Sequence, residues 1–298
     1  LPSFDAAEFK RRLDGARSSL SPGSFTTYEY KIEEIEKGLE KLYPYETGVA
    51  QRIRISRMNN YLRQAEVGID LIADQRGFVR LAFRSKIDNT LQPYMAWIPK
   101  DFDPSRKYPL LVFLHGSAST ETDIMGWKDA IPGDFIAIGP RGRGPSNWYC
   151  VDDAQTDIAE AIQSVKENYP IDDRNIFLSG FSMGGYGVYR TYYEAPETYR
   201  AIAVFSGTPK IRWRSEDMRL VDFTQDENIE RFRGVPVFIY HGERDLNVPY
   251  SDTERFVGQL KQTGALVEFH AENEKGHEHP SDKTIRAFFE WIAVTLQE

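Results

Sequence analysis

The sequence predicts an α/β fold in which helices cover both faces of a mostly parallel sheet, after an antiparallel entry and a helical N-terminal segment. Through residues 1–76, apolar side chains recur at the spacing of one-sided helices. From Phe78 the apolar spacing changes to two, which is typical of a half-exposed strand. Short continuous apolar runs then alternate with helical stretches, and such runs indicate strands buried on both faces of a parallel sheet.

The composition indicates a folded protein and excludes some partners. The chain has 298 residues, of which 41% are hydrophobic and 28% charged, enough for a sizeable core. A formal net charge of -8 provides no overall field that would attract nucleic acid, so we expect no nucleic-acid partner. The apolar runs are far shorter than the ~20 residues that span a bilayer, so we expect a soluble chain with no membrane span. The single Cys150 leaves secreted, periplasmic and cytoplasmic locations open, and the oligomeric state is open too.

Three amphipathic helices are predicted in the N-terminal segment, residues 1–76, which we expect to pack on a larger domain, residues 77–298. Each helix is indicated by an apolar stripe at 4-3-4 spacing. The stripes are Phe9, Leu13, Ala16 and Leu20; Tyr28, Ile32, Ile35, Leu39 and Leu42; and Met58, Leu62, Ala65, Ile69 and Ile72. The predicted breaks are Ser21-Pro22-Gly23 and Tyr43-Pro44, and Asp74–Gly77 is predicted to end the third helix.

The larger domain is predicted to begin with two antiparallel strands, around Val79–Phe83 and Tyr94–Ile98. Buried strands follow, at Leu110–Leu114, Phe135–Ile138, Ile176–Leu178, Ala201–Phe205, Val235–Tyr240 and Leu266–Phe269. The helices expected with them are Asp153–Asn168, Gly185–Tyr193, Asp252–Thr263 and Ser281–Leu296. This repeated β-α order is that of a helix-covered parallel sheet.

A nucleophile motif stands between a predicted strand and a predicted helix. Gly180-Phe181-Ser182-Met183-Gly184 fits the pattern G-x-S-x-G, directly after the strand Ile176–Leu178. A serine on so sharp a turn has a strained backbone, and side chains two residues to either side would clash, which explains the flanking glycines. The motif therefore predicts Ser182 as a nucleophile exposed above the sheet.

A serine nucleophile needs a base, and the base needs an acid that orients it. Asp245 follows the strand Val235–Tyr240 directly, at the carboxyl end of the sheet where Ser182 emerges, and is the predicted acid. The loop before the last helix offers two histidines, His277 and His279. We expect His277 to be the base, because Gly276 before it permits a tight turn, whereas His279 precedes Pro280 and is pushed toward an extended backbone.

The oxyanion of a tetrahedral intermediate needs preorganised donors. The backbone N–H of Met183 lies at a predicted helix N-terminus and is one candidate. The loop His115-Gly116-Ser117 follows a buried strand and offers the other, for which we favour Ser117.

Taken together, these motifs resemble an α/β-hydrolase of the esterase type over about residues 78–298. The chain is similar to feruloyl and acetyl esterases and to the catalytic domain of prolyl oligopeptidase-like proteins. The residues that carry the resemblance are Leu114-His115-Gly116, Gly139-Pro140-Arg141-Gly142, Gly180–Gly185, His241-Gly242-Glu243-Arg244-Asp245 and Gly276-His277. The oxyanion loop reads His-Gly-Ser and not His-Gly-Gly-Gly, which disfavours relatives of hormone-sensitive lipase.

The resemblance implies a serine hydrolase that cleaves carboxylic esters through an acyl-enzyme, with residues 77–298 as its catalytic domain. We expect short-chain or aromatic acyl esters, small or carbohydrate-linked, as substrates. One alternative is a serine exopeptidase, which is less expected because helical residues and not a propeller precede the domain here. A second alternative is a non-catalytic binding protein of the same fold.

The remaining expectations concern the pocket and cofactors. Trp148 and Tyr149 are candidates for an aromatic wall against the substrate. The insertion Thr208–Arg233 is a candidate cap over the site and contains Trp213, a third candidate substrate contact. We expect no cofactor and no metal, since the histidines lack the H-E-x-x-H pattern.

Overall fold

The structure is a computed structural model that describes residues 4–40, 47–212 and 218–297. Its strands are β1 (Gly77–Arg84), β2 (Leu91–Ile98), β3 (Tyr108–Leu114), β4 (Ile136–Pro140), β5 (Ile171–Phe181), β6 (Ala201–Phe205), β7 (Pro236–Gly242) and β8 (Leu266–Glu272). Its α-helices are α1 (Ala6–Gly15), α2 (Pro22–Glu40), α3 (Thr47–Glu66), α4 (Asp152–Asn168), α5 (Met183–Glu194), α6 (Asp226–Ile229), α7 (Tyr250–Thr263) and α8 (Asp282–Thr295). A 3-10 helix spans Glu121–Trp127.

The strands form one sheet in the order β1-β2-β4-β3-β5-β6-β7-β8. β2 pairs antiparallel with both β1 and β4, and every pairing from β4 to β8 is parallel. The predicted fold, a mostly parallel sheet with an antiparallel entry, is therefore confirmed. Because the parallel strands share one direction, their carboxyl ends and the loops that follow lie along one edge of the sheet.

Side chains that alternate along the central strands feed two separate cores. Leu110, Val112 and Leu114 face a core shared with α1 to α5 and α7. Leu111 and Phe113 face the opposite side, where α8 and the 3-10 helix Glu121–Trp127 pack. Helices thus cover both faces of the sheet, as the continuous apolar runs predict.

Strand β8 differs from the prediction of strands buried on both faces. It pairs only with β7, and no residue from Leu266 to Glu272 is fully buried. Leu266 itself is 58% exposed. The apolar run is real, but its position at the sheet edge leaves one side without a neighbour, which the periodicity of a single strand cannot reveal.

Of the N-terminal helices, α2 packs on the antiparallel side of the sheet, and α1 and α3 pack on α2. Tyr28 and Ile32 of α2 are fully buried in the same core as Val79 and Leu81 of β1. The predicted break at Ser21-Pro22-Gly23 is a helix start: the Ser21 hydroxyl accepts the N–H of Ser24, and Pro22 occupies the first turn.

The third predicted helix ends earlier than its stripe suggested. Helix α3 stops at Glu66, and Gly68 takes a φ of 86°, a left-handed conformation that ends a helix readily. Ile69 and Ile72 therefore lie beyond the helix, Ile72 in a turn, and Ile69 is 43% exposed. The predicted break at Tyr43-Pro44 lies outside the described residues.

No helix in the three described ranges combines the length and the apolar composition that a bilayer crossing requires.

Candidate active site

Ser182 lies on a sharp turn between β5 and α5. Its φ of 56° and ψ of -114° fall in a region that residues with a side chain seldom adopt, at a cost of order 1–3 kcal/mol. The turn is held because the Ser182 N–H donates to the carbonyl of Phe205, at 2.8 Å. A Cβ at Gly184 would clash with the Leu114 carbonyl, and one at Gly180 with the Gly184 carbonyl. Glycine at both positions therefore lets the nucleophile turn pack against β3.

The structure brings the three predicted residues Ser182, His277 and Asp245 into one hydrogen-bonded line. His277 Nε2 lies 2.7 Å from Ser182 Oγ, and His277 Nδ1 lies 2.7 Å from Asp245 Oδ2. An ionised carboxylate only accepts, so Nδ1 carries the proton and Nε2 is free to accept the serine proton. The side chain of Asp245 is fully buried, whereas that of His277 remains 16% exposed.

The environment of Asp245 favours its ionised form. Burial by itself would raise the pKa of this carboxyl, but hydrogen bonds from His241, His277 and the Val248 N–H outweigh it and hold the pKa well below the ordinary value. Oδ1 accepts the N–H groups of Asn247 and Val248, both at 2.8 Å. The acid thus carries its charge in a buried site where backbone donors fix its orientation.

His279 does not reach Ser182 or Asp245 in the structure. Its ring stacks on Phe181, with centroids 4.2 Å apart, and meets Trp127 edge-on at 6.1 Å. Burial lowers the pKa of His279, which suits a neutral ring among aromatic neighbours. Of the two candidate bases, His277 is the one within hydrogen-bond distance of the nucleophile.

Two backbone N–H groups near Ser182 are candidate oxyanion donors. Met183 is the first residue of α5, so its N–H has no acceptor within the helix. The loop after β3 runs close by: a Cβ on Gly116 would lie 3.7 Å from the Cβ of Ser182. In that loop Gly116 N–H donates to Asp123 and Ala118 N–H to Pro145. Of the three residues Gly116, Ser117 and Ala118, Ser117 is therefore the one whose N–H has no acceptor in the described part of the chain.

The loop between β4 and α4, residues 141–151, is hydrogen-bonded to the loop after β3. Ser146 Oγ lies 3.0 Å from Ser117 Oγ and 3.2 Å from the Ala118 nitrogen. His115, fully buried, has Nε2 3.0 Å from the Arg141 carbonyl. Residues 115–118 are therefore tied at several points to residues 141–146.

The candidate pocket residues have different outcomes. Trp148 is half-buried, and its backbone N–H donates to the sulfur of Met183 at 3.3 Å. This contact places Trp148 beside the turn that carries Ser182. Tyr149 is fully buried, its ring packed against Gly142 and Gly187, so the structure does not support its predicted contact with substrate. Both residues have a positive φ, which the sequence did not reveal. Trp213 lies outside the described residues.

Sequence reasoning missed a buried ion pair that supports this loop. Asp157 of α4 is fully buried, accepts the Gly142 N–H at 2.8 Å, and lies 3.3 Å from Nε of Arg143. The signal was present in the sequence: Asp157 lies on the apolar face of its helix, between Ala154 and Ala161. A carboxylate at a core-facing position is uncommon unless a specific partner requires it.

No metal centre is formed by the residues that the structure describes: no three His, Cys, Asp or Glu side chains among them lie close enough to share an ion. The chemistry that the site presents is that of a serine, an imidazole and a carboxylate in line beside two backbone donors.

Comparison with known proteins gives matches in sequence and in structure. Residues 151–297 match the prolyl oligopeptidase family. A bifunctional acetylxylan esterase/xylanase of Neocallimastix patriciarum is 28% identical over 167 residues, which cover 54% of this chain and 22% of that protein. A probable feruloyl esterase C of Aspergillus terreus is 27% identical over 124 residues, covering 38% of this chain and 46% of that protein. The chain thus spans less than half the length of these curated relatives.

The solved structures agree on the fold. A ferulic acid esterase superposes with a TM-score of 0.61 at 17% identity, covering 75% of this chain and 99% of the other. An identity this low speaks for the architecture alone. The chain has the α/β-hydrolase fold, and in sequence it resembles acetylxylan and feruloyl esterases and, over residues 151–297, the prolyl oligopeptidase family.

Proposed function

We propose that this chain is a serine hydrolase that cleaves carboxylic esters through an acyl-enzyme. The observation that carries the proposal is the line Ser182–His277–Asp245, with two consecutive contacts of 2.7 Å. A binding protein of the same fold would not need these three side chains to be hydrogen-bonded in line. This disfavours the non-catalytic alternative.

The first half of the reaction forms the acyl-enzyme. Ser182 Oγ attacks the ester carbonyl carbon while His277 Nε2 takes the hydroxyl proton. Asp245 keeps the imidazole in the Nδ1–H tautomer and stabilises the imidazolium that forms. His277 then gives its proton to the leaving alcohol as the tetrahedral intermediate collapses. The second half repeats these steps with water as the nucleophile and releases the acid.

The negative charge of each tetrahedral intermediate falls on the former carbonyl oxygen. We assign the donors to the N–H groups of Met183 and Ser117, because Met183 directly follows Ser182, Ser117 lies in the loop beside it, and neither N–H has an acceptor among the described residues. Such a donor is worth about 2.7–4 kcal/mol in transition-state stabilisation. The ties between residues 115–118 and 141–146 would hold one of these donors fixed before the reaction, which is what makes it effective.

The substrate class is proposed as esters with a short or aromatic acyl group, small or carbohydrate-linked. The acetylxylan and feruloyl esterases among the relatives, whose names describe such substrates, support this choice. Half-buried Trp148, beside Met183 and edge-on to Tyr186, offers an aromatic surface near the nucleophile.

A second candidate is a serine exopeptidase, which the match of residues 151–297 to the prolyl oligopeptidase family favours. Its triad would be the same, so geometry does not separate the two activities. They differ in the leaving group, an alcohol in one and an amine in the other.

One panel of substrates tests the proposal. The wild type and Ser182→Ala are assayed on acetyl, butyryl and feruloyl esters and on peptide anilides. We expect ester hydrolysis that the Ser182→Ala variant loses. Cleavage of anilides with higher kcat/KM than any ester would favour the exopeptidase, and turnover unchanged in Ser182→Ala would contradict both.

A further inference from the structure

Asp245 has a second imidazole neighbour besides His277. His241, at the end of β7, has Nε2 3.3 Å from Asp245 Oδ2 and 2.9 Å from the Val248 carbonyl oxygen. The Oδ2 atom that His241 approaches is the same one that His277 contacts. His241 is completely buried, so water does not compete for these contacts.

The partners of His241 determine which of its nitrogens carries a proton. Nε2 faces two oxygens that only accept, so it must be the N–H donor. Nδ1 lies 3.0 Å from the hydroxyl of Thr253, a buried residue of α7, and that hydroxyl can donate to it. Thr253 thereby favours the tautomer of His241 whose Nε2–H lies between its hydrogen-bond acceptor, the Val248 carbonyl, and Asp245 Oδ2.

We propose that His241, held by Thr253, is a positioning residue of the active site: its Nε2–H shares Asp245 Oδ2 with His277 and thereby sets both the orientation of the carboxylate and the strength of its bond to His277. The proposal rests on the proposed function, since it gives His241 a part in the same triad. It extends the line of contacts to five groups, from Thr253 through His241, Asp245 and His277 to Ser182.

The other ionisable groups near this line do not substitute for His241. Tyr240 interacts electrostatically with Asp245 and His279 with His277, and the Tyr250 ring lies edge-on to His241. Lys275 and Glu278 lie in the same loop as His277. Lys275 is paired with Glu278 at 3.1 Å. In the described residues, none of these groups donates a hydrogen bond to Asp245, whose side chain contacts only Asn247, Val248, His241 and His277.

Loss of the His241 donor should change the pH dependence of kcat/KM in a definite direction. When two N–H donors share one carboxylate oxygen, each receives less of its negative charge. If the His241 donor is removed, more of the negative charge of the Asp245 carboxylate acts on His277. The imidazolium form of His277 is then more stable and persists to higher pH. The acid limb of the kcat/KM profile should therefore move to higher pH, and kcat should fall because the carboxylate is held less firmly.

The test compares His241→Phe, which lacks the donor, with His241→Gln, whose amide can restore a donor near Nε2. We expect the acid limb of kcat/KM on a short-chain ester to shift upward by roughly 0.5–1 pH unit in His241→Phe and to remain near wild type in His241→Gln. In His241→Phe, kcat should also fall by roughly 10-fold to 100-fold.

A milder pair of variants covers the case in which His241→Phe does not fold. Thr253→Val removes only the hydroxyl and should give a smaller shift in the same direction, whereas Thr253→Ser should give none. Thr295→Val is the matched control, because Thr295 is also a buried helical threonine, but its hydroxyl donates to the Trp291 carbonyl, in α8.

A spectroscopic readout separates this inference from the proposed function. The proton between His277 and Asp245 gives a far-downfield NMR signal, which should move further downfield in Thr253→Val as that bond strengthens. If the wild type has no esterase activity, the proposed function is contradicted. The NMR signal then still tests the positioning role of His241. Variants that lose stability or activity with neither the acid limb nor the signal displaced would overturn the positioning role.

Discussion

At the scale of single residues, the strained backbone of Ser182 is the feature on which the site depends. Its positive φ is held by the hydrogen bond to Phe205 and by close packing of Gly184 against β3. The G-x-S-x-G pattern predicts this turn from the sequence, because only glycine fits the flanking positions. The same reasoning could not reveal the positive φ of Trp148 and Tyr149, since neither residue type favours a left-handed backbone.

The first prediction concerns the two histidines of the loop before α8. His277→Ala should lower kcat by at least ~10³-fold, because it removes the group 2.7 Å from Ser182 Oγ that takes and returns the proton. His279→Ala should cost less than about tenfold, because that ring packs on Phe181 and does not reach the nucleophile. Steady-state kinetics of the two variants on one ester provide the comparison, and the reverse ranking would make His279 the base.

At the scale of elements, the sequence predicts the central strands and their helices to within a few residues, because their apolar runs and stripes reflect burial directly. It fails where the outcome depends on distant parts of the chain. Helix α3 ends at Glu66 because Gly68 adopts a left-handed conformation. Strand β8 is partly exposed because it lies at the edge of the sheet. The network of residues 115–118 with 141–146 joins two loops that no local pattern connects.

The second prediction concerns the Asp157 carboxyl beneath the loop between β4 and α4. Burial raises its pKa to about 7, although the Gly142 N–H and the charge of Arg143 favour the ionised form. The ordinary pKa of an unfolded Asp is about 3.9, so the folded value is the higher one. The stability that this carboxyl contributes is therefore fully present below about pH 4 and is lost as the pH rises through about 7.

Asp157→Asn is neutral at every pH and should not show this loss. We expect the melting temperature of the wild type to fall relative to that of Asp157→Asn between about pH 4 and 7, measured by calorimetry in matched buffers. A difference between the two proteins that stays constant across this range would show that Asp157 does not titrate there.

At the scale of the whole molecule, the N-terminal helices are joined to the sheet by charge as well as by apolar contact. Arg80 of β1 lies 2.6 Å from Glu34 of α2 and 2.6 Å from Glu121, a carboxylate that is 1% exposed. Glu121 also pairs with Arg141 at 3.0 Å, in the loop that supports the oxyanion donors. The N-terminal segment is thus linked through ion pairs to the edge of the site.

The third prediction is that the ion pairs of Arg80 contribute to the stability of the fold. Arg80→Met should lower the free energy of unfolding by about 3 kcal/mol, because it leaves the buried Glu121 without one of its two partners. Arg84→Met is the matched control: it removes a more exposed pair between the same two elements, with Glu29, and should cost less than ~1 kcal/mol. Equal losses in urea unfolding would show that burial of Glu121 is not the cause.

The division of the chain at residues 76 and 77 stays a prediction, and limited proteolysis bears on it. Because the apolar stripe of α2 is buried in the same core as β1, and α1 packs on α2, we expect residues 1–76 to be lost only together with unfolding of the larger domain. Rapid removal of these residues, with the melting temperature of the remainder unchanged, would show them to be independent.

The central claim is that Ser182 is a base-activated nucleophile, and covalent labelling tests it most directly. The folded protein is treated with a fluorophosphonate probe and the modified peptide is identified by mass spectrometry. A serine with a base at 2.7 Å and donors for the developing oxyanion should be labelled, and His277→Ala should suppress the reaction. Label on Ser182 alone is the result we predict; label on another serine, or none on the folded protein, would contradict the account.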